Sequence, residues 1–406
     1  MPETKDEERS SRRTFMALTA AIGGLAACES GTEAPVAGGP RHLGSTISPY
    51  SERSKYETTT RFMPATKTPE QASSRTPLQE LQGIITPSGL HFERHHAGIP
   101  DIDPVNHELL VHGLVDRPTI FTMDDLKRLP SVSVVRFVEC SGNGGSEWTA
   151  PGSTTAQLAH GLASCSEWTG VPLRVVLEEL GVQPEGRWIY AEGADACLMA
   201  RSVPIEKAMD DALLAYAQNG DALRPAQGYP LRLLLPGYEG NTNVKWLHVI
   251  KVTDQPMMTR DETSKYTDLL PDGKARQFTF DLDAKSLITS PSGGQKIADL
   301  GFVEIRGLAW SGRGLIERVE VSVDGGETWA DAELEGPLHP KAFTRFRLPW
   351  HWDGSTAVLL SRATDETGYL QPTVDQLIEA RGKNSNYHNN SQKSWTIAAD
   401  GSVSNA

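Results

Sequence analysis

The sequence predicts a mixed α+β domain followed by a β-sandwich, and three observations carry that expectation. The chain has 406 residues, more than one hydrophobic core usually serves. From Pro77 to about Gln255, helix-like and strand-like segments follow one another irregularly. After about Phe278 the pattern turns to short strands of period two separated by turn residues. Hydrophobic residues at 38% and charged residues at 22% fit an ordinary folded protein. The net charge of −13 argues against nucleic-acid binding. It suits steering toward a basic partner, or plain solubility.

The elements follow in order. Ser11-Arg12-Arg13-Thr14-Phe15-Met16 is a twin-arginine pattern, and the apolar stretch Ala17 to Ala27 after it is too short to span a membrane. Residues 1–28 therefore read as an export signal, which places the protein in the periplasm. Leu25-Ala26-Ala27-Cys28 resembles a lipobox, in which Cys28 carries a lipid, and fits cleavage after Ala27 equally well. Residues 29–76, rich in Ser, Thr, Gly and Pro, read as an irregular linker or arm. The first domain is expected over 77–275. Its elements are a strand at Leu109 to Val115, a helix at Thr122 to Leu129 capped by Thr122, and a buried strand at Val132 to Glu139. A helix at Leu173 to Leu180 follows, then strands at Leu231 to Leu235 and Val244 to Val252. The second domain is expected over 276–400. Its strands are Val303 to Gly307, Val319 to Val323, one containing Trp329, Phe343 to Leu348 and Val358 to Ala363, with a hairpin turn at Asp324-Gly325-Gly326.

Cysteine usage narrows the chemistry. With Cys28 set aside, Cys140, Cys165 and Cys197 remain, so at least one thiol is free of internal disulfides; whether Cys165 and Cys197 pair is open. The sequence has no C-x-x-C-H haem site and no C-x-x-C cluster. Cys140 ends a β-branched run and enters Ser141-Gly142-Asn143-Gly144-Gly145. That placement presents a sulfur at a turn whose N–H groups would favour the thiolate, a soft metal ligand. Taken by itself, a small buried hydrophobe is the alternative.

Glu139-Cys140-Ser141-Gly142-Asn143 resembles the cysteine motif of the sulfite oxidase family of molybdenum enzymes. Further segments match that family in order: Phe92 to His96, Pro100 to Pro104, Ser202 to Pro204, Leu213 to Gly220, Gly228 to Arg232, Pro236-Gly237 and Asn243 to Leu247. The resemblance spans roughly residues 80–400. It implies a molybdopterin-binding α+β domain followed by an immunoglobulin-like dimerisation domain. It also implies a molybdenum–molybdopterin cofactor and a homodimer, and the twin-arginine route implies folding before export, as a cofactor inserted in the cytoplasm requires. Carried over position by position, Cys140 corresponds to the metal ligand, Arg94 to a substrate-binding cation and Tyr266 to a pocket tyrosine. His96 stands beside the pterin, Arg232 and Lys245 hold its phosphate, and Asn243 and Val244 lend backbone contacts. Phe92, His95, Asp195 and Gln227 complete the cofactor set.

Departures from the family point to the substrate. Gly144 and Gly145 stand where animal sulfite oxidases carry two arginines, Gln227 replaces a histidine, His95 an asparagine and His160 a tryptophan. The glycines imply a more open, less cationic site, suited to a bulkier substrate than free sulfite. Together with Glu147-Trp148 and Asp261 to Tyr266, this pattern resembles the molybdenum subunit of the sulfane dehydrogenases of bacterial thiosulfate oxidation. That resemblance implies sulfane sulfur on a carrier protein as substrate and a c-type cytochrome as electron acceptor. The alternative within the family is a periplasmic sulfite dehydrogenase acting on free sulfite. The alternative outside it is a cofactor-free interaction module.

Overall fold

Among the described residues, regular structure begins at the two-residue strand Ser73–Ser74, ahead of the Pro77 start that composition implies. It pairs antiparallel with Glu93–Arg94, and an isolated bridge joins Phe62 to Arg75. Ser/Thr-rich sequence hid this strand, because a two-residue strand held by backbone bonds shows no hydrophobic period. The computed structural model describes residues 44, 46–148, 152, 154–383 and 385–406, so the twin-arginine segment and Cys28 lie outside the described residues. The described residues up to Glu57 contain only turns and bends, all exposed, and Thr58–Ala406 forms one compact unit.

Two five-stranded sheets build the first half. One orders Asp221–Ala222, Leu213–Gln218, Ala163–Pro172 and Val132–Glu139, with Arg232–Leu234 also paired to Leu213–Gln218. The other orders Thr119–Thr122, Glu108–Gly113, Leu247–Thr253, Trp188–Gly193 and Ala200–Pro204, with one parallel pair. The helix Met123–Lys127 starts where Thr122 and Asp125 form a reciprocal capping box. The helix Leu173–Leu180 buries Leu173, Val176, Leu177 and Leu180, spaced i, i+3, i+4, i+7, and stops at Gly181 in the left-handed region. Val132–Glu139 is buried only at its end: its first residues are exposed, and Phe137, Val138 and Glu139 are buried. The strand expected at Val244 starts at Leu247, because Gly240–Thr242 makes a 3-10 turn and the chain after it serves the cavity described below.

The second half is an immunoglobulin-like sandwich. One sheet orders Lys285–Ser290, Gly301–Trp310, Thr344–Trp352 and Glu333–Glu335. The other orders Ala330–Asp331, Ile316–Ser322, Ala357–Asp365, Trp395–Ile397 and Val403–Asn405. Trp329 sits just before the strand that was expected to contain it. The helix Val374–Arg381 and the last two strands carried no clear period in the sequence.

The halves are not independent. Leu78, Phe137, Ala163 and Cys165 from the first share one apolar cluster with Trp310, Phe343, Phe346 and Trp395 from the second. Within it lies a buried polar knot. The Glu139 carboxylate accepts from the Lys285 ammonium, from Asn143 Nδ2 at 2.8 Å and from Trp310 Nε1 at 2.7 Å. Removing one partner of a buried ion pair leaves an uncompensated charge. Lys285→Met is therefore expected to lower stability to urea by about 3 kcal/mol or more, and Glu139→Gln/Lys285→Met to recover most of the loss. Equal stability of Lys285→Met and wild type would show that the pair is not a structural tie.

Candidate functional site

The buried end of Val132–Glu139 sets Cys140 at a tight turn. The Cys140 N–H donates to Leu162 O at 2.9 Å, and the Asn143 N–H donates back to Cys140 O at 2.9 Å. The Cys140 side chain lines a cavity. All twelve residues given a catalytic or cofactor role from the sequence line the same cavity: Phe92, Arg94, His95, His96, Cys140, Asp195, Gln227, Arg232, Asn243, Val244, Lys245 and Tyr266. Sequence reasoning missed His91, Glu93, Met199, Asn241 and Trp246, which line it too. Trp246 and Glu93 adjoin motif residues, so adjacency was the available signal. Met199 and Asn241 offered none.

Two buried cations dominate the cavity. Arg232 donates to the carbonyls of Gln227 and Asn243, both at 3.2 Å, and its Nε is buried without a partner. Lys245 Nζ meets Arg94 O at 3.2 Å, Ala226 O at 3.1 Å and His95 Nδ1 at 2.9 Å. An isolated bridge sets Arg232 beside Lys245. Gly228, at φ +107°, makes the close approach possible, since a Cβ there would lie 3.1 Å from the Cβ atoms of both residues. Among the described residues no carboxylate forms an ion pair with either cation. Burial lowers Arg232 to about 9. Burial, then the Arg232 charge, lowers Lys245 to about 7, and Glu93 and Asp195 offset only part of this.

The remaining groups are held in place. Burial pushes the Glu93 carboxyl up, but hydrogen bonds from His95 and Arg61 outweigh it and hold the group at about 2. Asp195 accepts from Met199 N at 3.1 Å and from the Cys197 thiol at 2.8 Å. Gln227 Nε2 donates to Phe92 O at 2.9 Å. Tyr266, in the left-handed region at φ +51°, places its hydroxyl 3.1 Å from His96 Nε2. Burial and the nearby Arg94 and Lys245 charges lower His96 to about 4, so its imidazole is neutral at pH 7. Burial raises the Tyr266 phenol, which therefore stays protonated and serves as a hydrogen-bonding group rather than a base.

Cys140, Cys165 and Cys197 are all free thiols, which answers the pairing question. Burial raises Cys140 above the ordinary thiol value, although the Gly142 backbone and Arg94 pull it down. The expected thiolate-favouring turn is thus outweighed by desolvation, and a cation at the sulfur would reverse the balance.

Gly144 and Gly145 depart from expectation more sharply. Neither lines the cavity. A Cβ on Gly144 would lie 2.8 Å from His160 Cε1 and 3.2 Å from Asn389 Cβ, and one on Gly145 would lie 3.0 Å from Asn386 O. The space is filled by His160 from the first half and by Asn386 and Asn389 from the second, so the glycines do not open the site.

The donor set fits a molybdenum–pterin group. Among the described residues there is no cluster of three or more His, Cys, Asp or Glu that could chelate a metal, so a metal at Cys140 must arrive with most of its own ligands. The unpartnered Arg232 Nε and the unpaired Lys245 charge supply what a buried phosphate needs.

Residues 96–260 match the oxidoreductase molybdopterin binding domain, and residues 276–394 match the Mo-co oxidoreductase dimerisation domain. The chain belongs to the sulfite oxidase family of molybdopterin-dependent oxidoreductases. Within that family it is similar to the crystal structure of the sulfane dehydrogenase SoxCD from Paracoccus pantotrophus, with TM-score 0.88 and 47% identity over 90% of this chain and 95% of that one. It is 32% identical over 332 residues to mitochondrial sulfite oxidase of Mus musculus, covering 75% of this chain and 60% of that protein. It is 33% identical over 345 residues to NADH nitrate reductase of Solanum lycopersicum, covering 74% and 38%. The chain thus spans about 60% of the sulfite oxidase and less of the nitrate reductase.

The lysine yields a pH prediction. A folded-state value of about 7, against the usual 10.5, means that the cofactor-free protein sheds the Lys245 proton as pH rises through 7. Unfolded chain keeps that proton up to about 10.5, so cofactor-free stability rises with pH across this window. An anion in the cavity favours the charged form, so its binding strengthens as pH falls. Sulfate, which does not titrate here, should bind the cofactor-free protein about tenfold more tightly at pH 6 than at pH 8.5 by calorimetry. A Lys245→Met variant should lose that dependence.

Proposed function

We propose that this chain is the molybdenum subunit of a periplasmic sulfane dehydrogenase, with Cys140 as the protein ligand to the metal. The observation that carries this is the 47% identity to a sulfane dehydrogenase over 95% of that chain's length. The assembled cavity supports it. A molybdenum–pterin group bound there supplies two-electron oxygen-atom transfer to sulfur. The chain's own residues do the rest. Arg232 and Lys245 neutralise the cofactor's phosphate, and Asn243, Val244, Gln227, Asp195, Phe92, His95 and His96 line its bed. Arg94 faces the cavity beside Cys140 and binds negative oxygen as it develops on the substrate sulfur. Tyr266, steadied by neutral His96, hydrogen-bonds in the same space.

In each step a sulfur atom carried on a partner protein gains oxygen from water, releasing two protons and two electrons. The electrons leave singly to a c-type cytochrome. This chain has no haem attachment motif, in keeping with a separate acceptor. The second half pairs two copies into a homodimer, as its family model's description supports.

Oxidation of free sulfite is the alternative. Steady-state assays separate the two. Carrier-bound sulfane sulfur should be turned over with cytochrome c reduction, and free sulfite at least tenfold less efficiently. The reverse preference would reject the sulfane assignment. Cys140→Ser should abolish turnover, and Arg94→Ala should reduce it about a hundredfold.

Export follows from Arg12-Arg13 and the apolar stretch after them. Replacing both arginines with lysine should leave the protein in the cytoplasmic fraction with its molybdenum bound. Undiminished periplasmic protein would refute twin-arginine export.

A further inference from the structure

The segment Asn386–Asn389 lies within the stretch matched by the dimerisation model, yet it reaches the Cys140 loop. The His388 N–H donates to Ser141 O at 2.8 Å, one residue past Cys140. Asn389 Nδ2 donates to Gly144 O at 3.1 Å. His388 Nε2 lies 3.2 Å from Glu239 Oε2. Glu239 also accepts from Asn241 Nδ2 at 2.8 Å, and that amide donates in turn to Ser141 Oγ at 3.0 Å. On the other side, the Tyr387 ring packs 5.4 Å from the Tyr266 ring, and its hydroxyl faces the Tyr266 backbone.

Two non-glycine residues in this contact hold left-handed backbone, Tyr266 at φ +51° and His388 at φ +57°. Such conformations cost energy and persist where surroundings impose them. Gly144 and Gly145 leave room for the segment, since any side chain would strike Asn389, Asn386 or His160. Tyr387 and His388 do not line the cavity, so they act through other residues.

We propose that Asn386–Asn389 is a positioning strap: Tyr387 orients Tyr266 toward substrate, while His388 and Asn389 fix the loop that carries the metal-ligating sulfur. The second half of the chain is then part of the active site and not only a dimerisation module. This rests on Cys140 as the molybdenum ligand.

The test uses full-length protein made with its cofactor, as Tyr387→Phe and His388→Gln. Tyr387→Phe removes one oxygen from a half-buried ring, which keeps the fold. Molybdenum content should stay at the wild-type level in both variants. In Tyr387→Phe, kcat should fall about tenfold with KM within twofold. In His388→Gln, the electron paramagnetic resonance spectrum of the molybdenum centre, poised with dithionite at its one-electron-reduced level, should shift, because the loop bearing its sulfur ligand has moved. Wild-type kcat in the first together with a wild-type spectrum in the second would overturn the strap. Because dithionite needs no sulfur substrate, the spectrum reports on the strap even if sulfane turnover is absent. That absence would count against the proposed function alone.

Discussion

Glu139 ties the molecule together. Its carboxylate is buried next to the sulfur that faces the cavity, and its partners come from both halves: Asn143 from the adjoining turn, Lys285 and Trp310 from the sandwich. A buried charge is tolerated only when its oxygens are satisfied. The turn at Cys140 and the first strand of the sandwich are therefore fixed by the same three contacts. Around this knot the apolar cluster of Phe137, Cys165, Trp310 and Phe343 closes. A strand end that would otherwise fray becomes a rigid mount for the Cys140 sulfur.

The charge distribution of the cavity complements that mount. Glu93 is committed to Arg61 and His95, and Asp195 to Cys197 and Met199, so neither carboxylate pairs with Arg232 or Lys245. The protein holds positive charge in a dry place and leaves it for a guest to neutralise. That costs stability in the empty protein, a common trade at binding sites. Cys140 follows the same logic with opposite sign: burial favours the neutral thiol until a cation arrives.

Much of this was legible in the sequence, and what was not has physical causes. Ten of the twelve candidate residues fall in motif segments that follow one another along the chain, Asp195 and Gln227 lie outside them, and all twelve meet at one cavity. Period two gave the sandwich strand Ala357–Asp365 because its alternate residues are buried; it also marked Ile316–Ser322, although Val319 to Ser322 are buried on both faces. The strand Ser73–Ser74 was invisible because two paired residues are too few to show a hydrophobic period. The role of Gly144 and Gly145 was misjudged for a related reason: besides His160, what fills the space above them is Asn386 and Asn389, some 240 residues later, and no local pattern records that distance. The N-terminal export and lipid features fall outside the described residues.

The joint near residue 276 looks like a natural border between modules, but it is a poor place to recombine genes. A chimera crossing over there would pair one parent's Glu139, Gly144 and Tyr266 with another parent's Lys285, Asn389 and Tyr387. Mismatched partners would bury a lone charge or drive a side chain into an occupied space. The two halves must therefore change together, and inheritance should treat them as a single unit despite their separate architectures.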